Sequence, residues 1–399
     1  MAEVWLLEAA KGIGRMFLNP VLYFSFILAV AAGYMRVKRE RKDFHIRINR
    51  GLHELRHLLP AGLLAGLVLS IIAVGTGFTL PLPVIAAIAA VTIVLALAGN
   101  ARLLSPAYTV GVALLLVFGA DVADIHIPFF LPSSETIEPI YLVGTAMIIG
   151  VLLLTEGTLM LKNGLIDLSP KLRTSRRGLT VGAHQTKRLW LIPIFFLLPA
   201  GPITSAFEWW PVIQWGTQSY ALILVPFLMG FQHQIQATLP EEAVYRLARQ
   251  VIVLGFIITA AAVGSLWLPA SVSLLIAAAA IGGRAWISYR HRVREGMTPY
   301  YFTPLNDGVM ILDVIPDSPA DKMGLLMGEI IQSCNGTLLR NKQDLYEALL
   351  KNRAYCKLEV LDISGEIRLL QRALYEGDHH ELGIIFVEKR MKRNQDKAV

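Results

Sequence analysis

Long apolar stretches separated by short polar ones fill residues 17–288, and a shorter period takes over from residue 301. A bilayer core about 30 Å thick asks for roughly 20 apolar residues per helix, with shorter spans tolerated at some cost. Stretches of that kind run over 17–35, 58–79, 82–98, 105–120, 139–161, 189–205, 216–232, 250–268 and 271–288. The pattern predicts a polytopic α-helical membrane protein of eight or nine spans. The count stays open because 58–79/82–98 and 250–268/271–288 are joined by proline-containing turns (Pro81 and Pro83; Pro269). Each pair reads as two antiparallel helices or as one broken element. The pentapeptide Leu-Leu-Pro-Ala-Gly occurs at 58–62 and again at 197–201, at different depths of the proposed spans, and reads as coincidence.

Beyond residue 301 the pattern is that of a small α+β domain. Val309–Val314 alternates as a strand, Ser318-Pro319 starts a helical turn, and Asn335-Gly336 suits a tight hairpin. Leu345, Ala348, Leu349 and Leu350 recur at helical spacing within Lys342–Asn352, and 357–362 with 366–374 forms a hairpin around Ser364-Gly365.

Composition agrees with the membrane reading: 54% of the 399 residues are hydrophobic and only 17% charged. Soluble domains carry about 25% charged residues, so the ordinary soluble enzyme classes are excluded. The net charge of +7 arises before residue 285, with 21 Lys/Arg against 14 Asp/Glu there and 16 of each after it. The C-terminal domain therefore has no basic excess of the kind that nucleic-acid binding needs. The positive charge sits in loops: eight basic residues from Arg36 to Arg56, and seven over 162–188. The 121–138 loop carries Asp121, Asp124, Glu135 and Glu138 and no Lys or Arg. The positive-inside rule makes the first two loops cytoplasmic and the third external. Counting spans then places the C-terminal domain in the cytoplasm and, for nine spans, the N-terminus outside, although Lys11 and Arg15 weigh against the latter. Ala29-Val30-Ala31 could be cut by a signal peptidase, but cleavage would export the basic run behind it. Trp209, Trp210 and Trp215 read as interfacial anchors. Cys334 and Cys356, without CxxC spacing in a reducing compartment, read as buried apolar side chains.

Two sets of residues invite chemistry. His53-Glu54-Leu55-Arg56-His57 matches HExxH, whose histidines share a helix face that can hold zinc while the glutamate acts as base. With a PDZ-like domain, it resembles the intramembrane site-2 metalloproteases. That family, however, buries the motif inside a span and takes a third ligand from an NPDG- or LDG-like stretch, which is missing from the spans here. A solvated helix face is the simpler reading, with no metal and no cofactor. Glu156 and Arg284 are the ionisable residues that would suggest a transport path, but each lies about one turn from the cytoplasmic end of its span and can snorkel. No Walker A, Rossmann or G-x-S-x-G pattern is present.

The order GV-x-I-x-x-V-x-x-x-SPA-x-x-x-GL-x-x-GE-I-I-x-x-x-NG between Gly308 and Gly336 resembles the PDZ family, over residues 301–388. The usual carboxylate-binding stretch is missing before Gly308, and its match lies at the end, Leu382-Gly383-Ile384-Ile385-Phe386. A circular permutation explains this, with 366–374 as the first strand of the usual order. The resemblance implies that a partner segment adds to the edge of Ile384–Phe386 and that amides around Leu382–Ile384 receive a terminal carboxylate. The spans, the Arg39-Glu40-Arg41-Lys42-Asp43-Phe44 run and the terminal PDZ-like domain together resemble the MinJ family of cell-division topology determinants of Bacillus-type bacteria. That resemblance implies a non-catalytic scaffold at poles and septum, bridging DivIVA-like and MinD-like division proteins, with homo-oligomers compatible with it. The expected division is a membrane domain over 1–288, a linker over 289–300, the PDZ-like domain over 301–388 and a basic tail over 389–399. The basic loops are expected to contact lipid headgroups. A site-2-type protease and a PDZ-regulated transporter or sensor are the other readings.

Overall fold

The computed structural model describes residues 2–46, 48, 51–122, 139–166, 168–175, 177–204, 210, 219–305, 307–352, 355–373 and 382–387. The tail over 389–399, Trp209, Trp215 and the 123–138 part of the acidic loop lie outside them. Helix α1 (Ala2–Met16) is followed by α2 (Pro20–Phe44), whose start is capped by the Asn19 side chain accepting from the Val21 N–H. The short α3 (His53–Leu58) leads into α4 (Pro60–Thr76), then α5 (Leu82–Leu97), α6 (Pro106–Val122) and α7 (Pro139–Asn163). Later in the chain come α8 (Pro240–Gly264) and α9 (Val272–Met297), the latter continuing well past residue 289. Among the described residues five helical stretches are long and apolar enough to cross a membrane, and α5 and α6 are shorter apolar helices.

Within the stretches 189–205 and 216–232, expected as helical spans, the described residues 189–204 and 219–232 are strands. After β1 (Ser169–Thr174), strands β2 (Thr180–Thr204) and β3 (Ser219–Ile235) form a long antiparallel pair at the centre of the helices. The physical reason is visible in the residues. Pro193, Pro199 and Pro202 would each break a helix, and Trp190, Ile192, Ile194, Phe195 and Phe196 favour a pleated surface. Pro193 lies directly opposite Pro226 in the ladder. Phe195 and Leu197, two and four residues beyond Pro193, turn their N–H groups outward, to Ser70 Oγ at 2.9 Å and to the Phe78 carbonyl at 3.0 Å. Pro193 shares their parity, so its missing N–H removes no bond between β2 and β3.

A sheet edge open to lipid would leave peptide groups unsatisfied, so the hairpin must be covered by protein. On the β2 side, β1 pairs with residues 180–185, α4 covers the middle, and Leu80 donates to the Leu197 carbonyl at 2.9 Å. On the β3 side the Leu222 carbonyl accepts from Arg15 at 2.7 Å, and the Gln232 carbonyl from Arg102 Nε at 3.2 Å. Helix α4 reaches β2 closely because the face it turns inward is Gly62, Gly66, Ser70 and Ala73, while Leu64, Leu67 and Ile71 point away, each at least 60% exposed. Small residues at a helix contact and large apolar ones outside are the arrangement expected in lipid.

The C-terminal part is a six-stranded sheet with two helices. In chain order these are β4 (Val309–Val314), α10 (Pro319–Lys322), β5 (Ile330–Cys334), β6 (Thr337–Leu338), α11 (Lys342–Lys351), β7 (Tyr355–Leu361), β8 (Ile367–Ala373) and β9 (Ile384–Phe386). The spatial order is β8-β7-β5-β4-β9, with β6 paired to β5. Asn335 and Gly336 both have positive φ, as the hairpin turn requires, and Asn341 with Asp344 forms a capping box on α11. Cys334 and Cys356 are free thiols buried in the core of this sheet.

Candidate functional site

The segment that sequence singles out, Leu382–Phe386, closes the sheet. Gly383 has φ +82°, and a Cβ there would lie 2.2 Å from Ser318 Cβ, so only glycine fits. Its carbonyl accepts the Ile315 N–H at 2.8 Å, and that of Leu382 accepts the Ala320 N–H at 2.9 Å. The loop is thus fastened to the turn that starts α10. Leu382 and Phe386 enter the core of the domain, and Ile384 packs partly against it. Ile385 points the other way, onto Ile48, Phe302 and Leu312, which join the domain to the basic end of the membrane helices. Strand β9 pairs with β4 and ends the sheet, so among the described residues its second edge has no strand partner. Beside the end of β9 a cavity of about 500 Å³ runs to α11, lined by Met310, Lys342, Tyr346, Phe386 and Val387 among others. Such an edge beside a half-buried helix can accept an extended peptide.

The HExxH residues are held differently from a metal site. Glu54 is buried and pairs with Arg36 at 2.9 Å, and the His53 and His57 rings lie 4.4 Å apart. Among the described residues no three His, Cys, Asp or Glu side chains gather as metal ligands would. The arrangement does not favour the metalloprotease reading.

No family model matches the chain. It is 38% identical to the cell division topological determinant MinJ of Bacillus subtilis (strain 168), across its whole length and 99% of that protein. It is 26% identical to the probable cell division topological determinants MinJ of Lacticaseibacillus paracasei and of Lacticaseibacillus casei (strain BD-II), over 93% of this chain and 96% of each relative. The chain belongs to the MinJ family.

Three features of this MinJ-family chain differ from or add to what the sequence suggests. Glu156 and Arg284 do not snorkel: both are 0% exposed, and they pair at 2.8 Å. Ser105 donates to Glu156, and Arg284 also reaches Ser288 Oγ at 2.8 Å, so three helices meet on one polar knot. Partners within reach made pairing inside the fold cheaper than stretching to the interface. Trp210 is no interfacial anchor either. It is buried against Trp5 and Tyr220, with its indole N–H on the Val74 carbonyl at 2.9 Å.

The third is a contact that sequence spacing could not reveal, since His184 and Asp313 are far apart in the chain. At the polar base of β2, His184 Nε2 lies 4.0 Å from Asp313 Oδ2, and the ring stacks edge-on to Phe302. Burial pushes the imidazole down to about 4 and the carboxyl up to about 7. Against ordinary values of 6.5 and 3.8, His184 gives up a proton on folding and Asp313 takes one up. Between pH 4 and 6.5 the two slopes cancel, and the native contact is expected to be nearly insensitive to pH there. Single variants uncover opposite slopes. In Asp313→Asn the lowered His184 remains, so stability is full above pH 6.5 and is lost as pH falls toward 4. In His184→Phe the raised Asp313 remains, so stability is greatest at acid pH and falls as pH rises toward 7. Thermal unfolding across pH checks this, and equal slopes in both variants would refute it.

Proposed function

We propose that this chain is a non-catalytic, multi-pass membrane scaffold that helps to place the division site. The single observation that carries the reading is the full-length identity to a protein named as a cell division topological determinant. In this reading the basic loops and the C-terminal domain face the cytoplasm, and the protein concentrates at septa and poles. The C-terminal domain acts as a circularly permuted PDZ module over residues 301–388. Its groove, formed by Leu382, Gly383, Ile384, Ile385 and Phe386, takes a partner segment as an added strand, with specificity from the cavity beside α11. The bridge runs from a DivIVA-like protein to a MinD-like one. The strand order, the fastened Gly383 loop and the edge of β9 that no other strand pairs among the described residues support the groove assignment.

Imaging a C-terminal fluorescent fusion at native level tests the scaffold. Enrichment at septa and poles that disappears when DivIVA is removed is the expected result, and uniform membrane signal with normal septum placement in a deletion strain would overturn it. The groove is tested separately by Tyr346→Ala. Tyr346 is half-buried on α11 and lines the cavity, with the Lys342 ammonium 5.4 Å from its ring centroid. Partner binding is expected to weaken by about 1–2 kcal/mol while the protein folds normally, since aromatic anchors dominate such sites. Unchanged binding would remove the groove from the mechanism.

A further inference from the structure

We infer that the cleft between α8 and α9 is a site for one anionic phospholipid, its acyl chain in the cleft and its phosphate held by Arg246, Arg249 and Arg290. The cleft has a volume of about 460 Å³ and two unlike ends. One end is apolar, walled by Val253, Leu254, Ile257 and Ile287, with Val253 and Ile257 at least half exposed. Gly283 stands in this wall, and a Cβ there would meet Leu254 at 2.7 Å, which keeps the two helices close behind the cleft. At the other end three guanidinium groups from two helices converge with Gln250.

Charge is what selects the occupant. The one carboxylate that meets these arginines among the described residues is Glu242, 3.9 Å from Arg246 and itself 65% exposed, a weak pair. Three planar donors with so little acidic compensation suit a phosphate ester, which guanidinium groups bind in bidentate fashion. Depth points the same way. The apolar stretches of α8 and α9 end at residues 250 and 288, immediately beside Arg249 and Arg290, so the arginines sit where both helices leave the apolar layer. Trp286 lines the cleft one turn above Arg290 and is 61% exposed, as is usual for indoles at the headgroup level. Basic residues stand elsewhere at this end of the bundle too, Arg102, Arg173 and Arg292 around a cavity that also holds Glu295, but at this cleft three of them border an apolar wall.

The test uses the purified full-length chain, delipidated in detergent, with native mass spectrometry after exposure to phosphatidylglycerol or phosphatidylcholine micelles. One phosphatidylglycerol retained per chain is expected, with phosphatidylcholine retained far less. Replacing all three arginines by glutamine is expected to weaken retention at least about tenfold, in line with the electrostatic contribution of each basic residue near an anionic surface. Ile257→Trp, which fills the cleft and leaves the charge, is also expected to weaken it, and a thermal midpoint close to native shows that each variant folds. Equal retention of both lipids, or undiminished phosphatidylglycerol binding in the folded glutamine variant, would overturn the site. Undiminished binding in Ile257→Trp, or displacement of the lipid by inorganic phosphate alone, would overturn the acyl-chain part and leave only a phosphate contact.

Discussion

Gly66→Ala is expected to abolish accumulation of folded protein, and Gly62→Ala to do the same. An added Cβ would lie 2.2 Å from the Pro193 carbonyl oxygen at position 66 and 2.0 Å from that of Leu191 at position 62. Both obstacles are backbone, which cannot swing aside as a flexible side chain can. Moving α4 outward would relieve the clash, but it would also pull Ser70 from the Phe195 N–H and open the edge of β2 to lipid. The expected cost is about 3 kcal/mol or more, at the upper end for overpacked sites. Gly75→Ala on the same helix is the control, because nothing lies within 4 Å of its added Cβ. Alanine there should stabilise by about 0.5–1 kcal/mol through helix propensity. Size-exclusion profiles and thermal midpoints in detergent separate the three variants. A native-like profile for Gly66→Ala would mean that α4 does not lie on β2.

The second large effect belongs to the Glu156–Arg284 pair. Removing one partner leaves an unpaired charge away from water, and Arg284→Ala or Glu156→Ala is expected to cost about 3–5 kcal/mol. Replacing both at once with apolar residues of similar size, Glu156→Leu with Arg284→Met, should restore most of that loss, because the knot trades desolvation against attraction with little net gain. A double-mutant cycle on unfolding free energies gives the coupling directly. If the single and double variants were all close to native, the pair would be open to solvent. If the double variant were as damaged as the sum of the singles, the pairing would not be what holds α6, α7 and α9 together.

The apolar stretches over α2, α4, α7, α8 and α9 are legible as helices because nothing in them competes with a 3.6-residue period. Strands of the C-terminal domain are legible too, since Asn335-Gly336 marks a turn and Val309–Val314 falls on β4, although Ile311, Leu312 and Asp313 are all buried and do not alternate. Hydropathy alone misreads β2 and β3, because it measures transfer from water and is blind to hydrogen-bonding pattern. The signal that separates them is the proline content: Pro193, Pro199, Pro202 and Pro226 lie inside stretches that a helix would need unbroken. The repeated pentapeptide makes the point within one chain. Leu58 to Gly62 forms the α3–α4 junction, where Pro60 takes the first helical position, whereas Leu197 to Gly201 lies in β2. The difference comes from what each copy packs against. The Leu382–Phe386 segment was visible as a motif, but its fastening to Ile315 and Ala320, and the turning of Ile385 toward the membrane helices, depend on contacts that no local pattern records.

The protein-covered hairpin constrains how the chain is made. A helix such as α4 can enter the bilayer as soon as it is synthesised, since its peptide groups bond to one another. Neither β2 nor β3 can do so alone, because each needs the other, and β2 also needs α4, for its peptide groups to be bonded. Residues 180–235 must therefore stay sheltered, in water or by insertion machinery, until both strands are made and can enter together against helices already in place. Helix α4 is then left with a bare glycine face in the bilayer while more than a hundred further residues are translated, between Gly62 and its partner Leu191. Truncation of the chain between β2 and β3 should accordingly give a product that quality-control proteases remove, even though every helix up to α7 is intact.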